Sequence, residues 1–236
     1  MFSKKLQGYT FFYSNDIEFR YLYEEIFKKY IYYVQLETME PRILDCGAHI
    51  GLACIYFKST YPGARITAFE PEPPNLELLK ENLQINQMTD VEIIPKALWS
   101  TEGQMQLHVD IDQENHWSST SSLLKGSWTT KQPTAPIVVE TVKLSTYLNE
   151  PIDILKIDIE GAETEVLKEC RDQLVNVKYL FVEFHATRLH RPEELVTLLM
   201  NSGFELTVFA DNQEVPLNRM TRRKPTLYMI EAVRNT

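Results

Sequence analysis

Residues 42–57 read RILDCGAHIGLACIYF, and this stretch decides the fold. A short apolar run ends at Asp45, a segment with Gly47 and Gly51 follows, and the next apolar stretch has the length of a helix. This order predicts a buried strand, a tight glycine turn and a helix. In open α/β sheets such a unit places backbone N–H groups and the positive end of a helix beside a nucleotide-like ligand.

Strand and helix patterns alternate along most of the remaining chain. Strands are predicted at 42–46, 65–70, 91–94, 152–158, 177–185, 204–209 and 226–233, and helices at 50–60, 73–86, 162–174 and 192–203. This alternation predicts an α/β fold with parallel strands and right-handed crossovers. Residues 210–225 leave no room for a crossover helix, so the last two strands are predicted to pair antiparallel.

Two additions to this alternating pattern are expected within a single domain spanning 1–236. Residues 1–40 form an N-terminal extension with a helix predicted over 17–33. Residues 101–144 form an insertion in which two strand-like runs flank a Ser- and Thr-rich loop at 112–136. Loops of this length are usually functional lids or disordered segments, and the sequence leaves both interpretations open.

Composition limits the classes of partner. The 236 residues are 44% apolar and carry a formal net charge of -9, so no nucleic-acid partner is expected. No apolar run approaches the ~18 residues of a membrane span, and the N-terminus lacks an apolar signal region, which predicts a cytoplasmic protein without a membrane partner. The three cysteines lack CxxC spacing, so neither a disulfide framework nor a zinc cage is suggested.

The glycine turn has the pattern D-x-G-x-x-x-G. It matches neither the G-x-G-x-x-G dinucleotide fingerprint nor a phosphate-binding Walker loop. The carboxylate of Asp45 could accept hydrogen bonds from an ammonium group, whereas it would repel a pyrophosphate. The turn therefore favours S-adenosylmethionine as the ligand. Glu70, at the end of the next strand, is placed to accept hydrogen bonds from two ribose hydroxyls.

Two further motifs bring acids and a histidine to the carboxyl edge of the sheet. In LKIDIEGAE (155–163), Asp158, Glu160 and Glu163 follow a buried strand that lies beside the first one. In FVEFH (181–185), alternation places Glu183 and His185 on one face, where they could act as a general base and its orienting partner. A structural histidine with satisfied hydrogen bonds is the alternative interpretation of His185.

Taken together, ILDCGAHIG, FEPEPPN, KALWS, LKIDIEGAE and FVEFH resemble the FkbM family of S-adenosylmethionine-dependent methyltransferases, in the family's order over roughly residues 15–235. The resemblance implies a class I methyltransferase (Rossmann-like) fold. Its seven-stranded sheet has the order 3-2-1-4-5-7-6 with strand 7 antiparallel. His49 stands where the broader methyltransferase pattern has a third glycine.

The resemblance also implies roles for individual residues. Glu70 would hold the ribose hydroxyls, Ala97 would contact adenine, and Asp158 would lie between cofactor and substrate. The residues implied to line the methionine and ribose side of the cofactor are Asp45, Gly47, Ala48, His49 and Gly51.

The predicted reaction is O-methylation of a hydroxyl or carboxyl group on a small-molecule, sugar or peptide natural product. A hydroxyl acceptor must lose its proton, and His185 or Asp158 is the predicted base, with Glu183 and Glu160 in support. An N-methyltransferase and a non-catalytic cofactor-binding regulator are the alternatives. No metal is predicted, although the same four residues could in principle converge on Mg²⁺. A Rossmann oxidoreductase is disfavoured by the missing glycine. The acceptor and the oligomeric state stay open.

Overall fold

The computed structural model describes residues 1–111, 120–124, 134–186, 191–210, 213–217, 220 and 226–234. In chain order the elements are β1 (Phe2–Leu6), β2 (Tyr9–Tyr13), α1 (Asp16–Phe27), β3 (Arg42–Cys46), α2 (Leu52–Thr60), β4 (Arg65–Phe69), α3 (Pro73–Ile85), β5 (Glu92–Ile94), β6 (Ala97–Leu98), β7 (Gly103–Asp110), β8 (Thr134–Val142), β9 (Ile152–Ile157), α4 (Glu163–Glu169), β10 (Val177–Ala186), α5 (Pro192–Asn201), β11 (Glu205–Ala210), β12 (Gln213–Glu214) and β13 (Thr226–Val233).

The main sheet has the order β5-β4-β3-β9-β10-β13-β11-β12. Strands β3, β4, β5, β9 and β10 are parallel, and β13 runs antiparallel to both β10 and β11. This arrangement confirms the predicted order 3-2-1-4-5-7-6 with an antiparallel strand 7. The two-residue strand β12 extends the edge beyond the seven predicted strands.

Helices cover both faces of this sheet. One core contains apolar residues of α4 and α5 together with one face of β9 and β10. The other contains residues of α1, α2 and α3 and the opposite face of the sheet. Central strands that are buried on both faces read as continuous apolar runs, which explains why 152–157 is apolar except for Asp153 and Lys156.

The N-terminal extension contains, besides its helix, a hairpin that the sequence did not predict. It begins with an antiparallel hairpin, β1 and β2, whose tight turn uses Gln7 (φ 51°) and Gly8 (φ 89°). Helix α1 ends at Phe27, before the predicted end at 33, and Tyr30 then adopts a left-handed φ of 57°. The helical spacing of aromatic residues continues beyond Phe27, so this spacing placed the predicted end of the helix too far along the chain.

Asn82 of α3 fastens the hairpin to the glycine turn. Its side chain accepts a hydrogen bond from the Phe12 amide at 2.6 Å and donates to the carbonyls of Phe12 (3.0 Å) and Ile50 (2.8 Å). Because one buried amide satisfies three backbone groups, the extension has a defined position beside the sheet.

The remaining differences between the predicted and observed elements are smaller. The helix predicted over 162–174 ends at Glu169 and continues as a 3₁₀ helix, Arg171–Asn176. The insertion contains the predicted hairpin, β7 with β8, and β6 joins it to form a separate three-stranded sheet. Of the predicted loop at 112–136, positions 112–119 and 125–133 lie outside the described residues, so neither interpretation of that loop is tested. No helix in the described ranges combines the length and apolarity needed to cross a membrane.

Candidate active site

The glycine turn between β3 and α2 lies against the end of β9. The amides of Gly47 and Ala48 both donate to the carbonyl of Phe69, at 3.1 and 2.9 Å. Gly47 has φ 84°, and a Cβ at this position would lie 1.8 Å from the carbonyl oxygen of Asp158. Only glycine allows this approach, which brings the ends of three strands together at one point.

His49 and Glu70 connect the turn to β4. His49 adopts a left-handed φ of 50°, which explains why the broader methyltransferase pattern has a glycine at this position. The His49 amide donates to Glu70 Oε2 at 2.8 Å, and the Glu72 amide donates to Glu70 Oε1 at 2.9 Å. Burial raises the pKa of Glu70 to about 8, although both backbone hydrogen bonds oppose this rise.

Asp45 lies beneath the turn and is fully buried. Its Oδ1 is 3.0 Å from Lys156 Nζ, and its Oδ2 accepts a hydrogen bond from Cys54 Sγ at 3.2 Å. Lys156 also donates to the carbonyl of Gly47 at 2.9 Å and lies 3.7 Å from Asp158 Oδ2. Burial opposes the charge on Lys156, but Asp45 and Asp158 outweigh it and raise the pKa of the ammonium.

Two cavities meet at the glycine turn. The larger, about 370 Å³, lies between α1 and the strand ends, and the smaller, about 70 Å³, lies beside β4 and β6. Gly47, His49 and Asp158 line both cavities. The larger has the size of a small-molecule site. Asp45 and Gly51 line neither cavity.

The larger cavity has mainly apolar walls, which also include Glu25 and Lys29, and a charged floor. Its floor includes Asp158, Lys156 and Glu183, and the Tyr32 hydroxyl donates a hydrogen bond to Glu183. Burial, followed by the nearby charge of Asp158, raises the pKa of Glu183 to about 7, while the Tyr32 hydrogen bond opposes the rise. A carboxylate that lines a cavity and has a pKa near 7 can accept a proton at neutral pH.

In addition to Gly47, His49 and Asp158, the smaller cavity is lined by three further predicted site residues, Glu70, Ala97 and Glu160. It is closed by the described part of the insertion. The Ser121 hydroxyl donates to Glu72 Oε2 at 2.6 Å, the Ser122 hydroxyl donates to the Glu160 carbonyl at 2.5 Å, and Leu123 is buried. The insertion therefore forms a wall of this cavity.

His185 lies next to this cleft, although it lines neither cavity. Its Nδ1 is 2.9 Å from Glu163 Oε1, and its Nε2 is 3.5 Å from Glu160 Oε2. Burial disfavours the charged ring, but Glu160 and Glu163 outweigh it and raise the pKa of His185 to about 10. The raised pKa favours the protonated ring, and burial also raises the pKa of its neighbour Glu160 well above the usual value.

The four residues considered for Mg²⁺ do not all meet. Asp158, Glu160 and His185 bring side-chain N and O atoms within 4.8 Å of one another, whereas Glu183 is outside this group and bonded to Tyr32. His185 Nε2 lies 3.5 Å from Glu160 Oε2, and the protonated form of the ring offsets part of the negative charge of this group.

Comparison with known proteins decides the family. The Methyltransferase FkbM domain model matches residues 45–212, more than half of the chain. The chain belongs to the FkbM methyltransferase family.

Among relatives of this FkbM protein, methyltransferase sdnD of Sordaria araneosa is 30% identical over 225 residues, covering 84% of this chain and 86% of the relative. The 2-O-methyltransferase NoeI of Sinorhizobium fredii is 25% identical, covering 66% of this chain and 69% of the relative. The solved structure of an FkbM methyltransferase from Methylobacillus flagellatus has a TM-score of 0.50 and 16% identity. That match covers 84% of this chain and 45% of the other, and it supports the fold.

As an FkbM methyltransferase, the enzyme uses S-adenosylmethionine. The site fits this group on two observations. A buried carboxylate with a raised pKa, Glu70, borders the smaller cavity and can take further hydroxyl donors. The turn residues Gly47, Ala48 and His49 line the larger cavity, so the backbone of the glycine turn borders open space that can take the methionine part of the cofactor.

Three residues in this region were given no role by the sequence. The sequence does contain an indication for Lys156, since a lysine inside the apolar run ILKI requires a buried partner. Glu163 was noted only as one of the acids near the cleft. Tyr32 had no signal, because its partner Glu183 is 151 positions away along the chain.

Proposed function

We propose that this FkbM methyltransferase transfers a methyl group to a hydroxyl oxygen of a small molecule held in the larger cavity. The observation that carries the proposal is Glu183, a carboxylate with its pKa raised to about 7, on the floor of that cavity beside Asp158. The name of the relative NoeI, a 2-O-methyltransferase, supports an oxygen acceptor.

The cofactor is assigned to both cavities. Glu70 would accept hydrogen bonds from the ribose hydroxyls, and Ala97 would contact the adenine. Gly47, Ala48 and His49 would border the methionine part, while Gly51 and Asp45 would act indirectly by shaping and bracing the turn. When bound, S-adenosylmethionine supplies a methyl group on a positively charged sulfur. Asp158 lines both cavities, which supports a position between cofactor and acceptor.

A hydroxyl acceptor requires a base, and Glu183 suits this role better than His185. Glu183 lines the cavity and can take a proton near neutral pH, a contribution typically worth ~10²–10⁴-fold in rate. His185 lines neither cavity, and its raised pKa favours the protonated ring. In this proposal His185 stabilises the acids at the edge of the site, Glu160 among them, and Asp158 orients the reacting groups.

Asp158 and Glu183 also affect which other acceptor groups can bind in the cavity. A carboxylate acceptor would lie beside Asp158 and Glu183, which would repel it. An amine remains the competing acceptor, because an ammonium group would be attracted by both acids. A cytoplasmic location and the absence of a nucleic-acid partner remain predictions from the sequence.

The proposal is tested by measuring the release of S-adenosylhomocysteine with a matched panel of acceptors. The panel contains alcohols, amines and carboxylic acids on shared sugar, phenyl and alkyl scaffolds. Alcohols should be methylated in preference to the other two classes. Glu183→Gln should lower kcat by ~10²–10⁴-fold while cofactor affinity changes little. The control is Glu25→Gln, since Glu25 lines the same cavity but pairs with Lys29 at 2.5 Å. Preference for amines or acids, or full activity of Glu183→Gln, would overturn the proposal.

A further inference from the structure

Tyr32 is held in one orientation by three parts of the fold. It lies between α1 and β3 and is only 1% exposed. Its ring meets Phe181 of β10 edge-on, with centroids 5.6 Å apart, and packs against Phe57 of α2 at 6.1 Å. Lys156 Nζ lies 5.7 Å from the ring centroid. The position of the hydroxyl is therefore fixed by packing.

The hydroxyl of Tyr32 points at the floor of the larger cavity. It donates to Oε1 of Glu183, and among the described residues no other group donates a hydrogen bond to that carboxylate. Burial, followed by the charges of Glu183 and Asp158, raises the pKa of Tyr32 well above 10. The phenol therefore stays protonated and can only donate to Glu183.

Glu183 is surrounded by charges from two strands. Lys156 of β9 and Asp158, just after β9, lie close to it, and His185 and Glu160 lie nearby at the end of the sheet. The negative groups disfavour its ionised form, whereas Lys156, His185 and the Tyr32 hydroxyl favour it. Of these favourable groups, Tyr32 is the one that fixes the direction of the carboxylate, because a hydrogen bond is directional.

We propose that Tyr32 is a positioning residue for methyl transfer: it binds Oε1 of Glu183 and leaves Oε2 to take the proton of the acceptor hydroxyl. This inference rests on the proposed function. Tyr32 lies before residue 45, where the match to the family model begins. The N-terminal extension thus supplies part of the catalytic arrangement as well as a wall of the cavity.

Tyr32→Phe tests this role, and Tyr61→Phe is the matched control. The Tyr61 hydroxyl donates to the carbonyl of Val34, so its loss perturbs the same segment without touching Glu183. Tyr32→Phe should lower kcat at pH 7 about fivefold, leave KM and the affinity for S-adenosylhomocysteine within about twofold, and move the acidic limb of the kcat profile up by about one pH unit. Tyr61→Phe should leave the profile unchanged.

Titration of Glu183 by ¹³C NMR distinguishes failure of the Tyr32 inference from failure of the proposed function, because the titration needs no acceptor. The Glu183 signal is assigned by its loss in Glu183→Gln. A higher Glu183 pKa in Tyr32→Phe with an unmoved kcat limb would show that Glu183 is not the base, which is a failure of the proposed function. An unchanged Glu183 pKa would overturn the inference about Tyr32. If Tyr32→Phe folds poorly, 3-fluorotyrosine is placed at position 32, because it keeps the ring and makes the hydroxyl a stronger hydrogen-bond donor. The pKa of Glu183 should then fall. A Glu183 pKa that does not fall overturns the inference.

Discussion

Lys156 Nζ lies 3.0 Å from Asp45 Oδ1, and the two side chains are 4% and 0% exposed. The same ammonium donates to the carbonyl of Gly47, so one buried cation joins β9 to the base of the glycine turn. Asp45 was expected to contact the cofactor. The structure instead places it under the turn, where it is paired with Lys156, and a contact with the cofactor remains untested.

Lys156→Met should destabilise the enzyme strongly. The change leaves Asp45 buried without its cation, and removing one partner of a buried pair typically costs about 3–5 kcal/mol. Urea unfolding measures the loss. Lys80→Met is the control, because Lys80 pairs with Glu77 on the surface and should cost less than about 1 kcal/mol. Equal stabilities of the two variants would contradict the importance of the buried pair.

Gly47→Ala should abolish cofactor binding or folding. Its Cβ would lie 1.8 Å from the carbonyl oxygen of Asp158, so the turn and β9 must separate. Gly8→Ala is a matched control, since Gly8 has a similar φ of 89° but no atom within 4 Å of its Cβ position. The control isolates the backbone strain, about 1–2 kcal/mol. Calorimetry with S-adenosylhomocysteine and thermal unfolding compare the two, and normal binding by Gly47→Ala would refute the steric argument.

The ligand-free enzyme should lose stability as the pH rises from about 4.5 to 8. Burial raises the folded-state pKa of Glu70 from 4.5 to about 8, so the folded protein binds more protons than the unfolded chain in this window. The loss attributable to Glu70 is on the order of a few kcal/mol, since one pKa unit corresponds to about 1.4 kcal/mol.

Glu70→Gln should flatten this pH dependence and weaken binding of S-adenosylhomocysteine. Glu183 and His185, whose pKa values are also raised, keep part of the slope. Denaturant unfolding between pH 5 and pH 8 gives the slope, and Glu77→Gln on the exposed face of α3 should retain the wild-type profile. A Glu70→Gln slope equal to the wild-type slope would exclude Glu70 as the source.

Chelation should leave activity within about twofold. The imidazolium of His185 lies between Glu160 and Glu163, and it balances charge that a divalent cation would otherwise neutralise. Turnover before and after treatment with EDTA, followed by addition of Mg²⁺, measures the effect. Loss of activity that Mg²⁺ restores would establish a metal-dependent reaction, with Asp158, Glu160 and His185 as the candidate ligands.

Sequence alone determined the features that depend on local geometry. The turn at Gly47 and the position of Glu70 at a strand end follow from short patterns, because backbone conformation and side-chain alternation are set within a few residues. The strand order was implied by the resemblance to the FkbM family. The shared face of Phe181 and Glu183 follows from the same alternation, and Tyr32 contacts both side chains.

Only the tertiary structure decided which charges and donors are partners. Asp45 pairs with Lys156, Glu183 with Tyr32, and His185 with Glu163, across 111, 151 and 22 positions of the chain. A side chain's ionisation depends on burial and on groups brought near it by folding, and neither can be deduced from spacing. The sequence therefore identified the acids and the histidine at the edge of the sheet, whereas packing decided that the pKa values of Glu183 and His185 are raised.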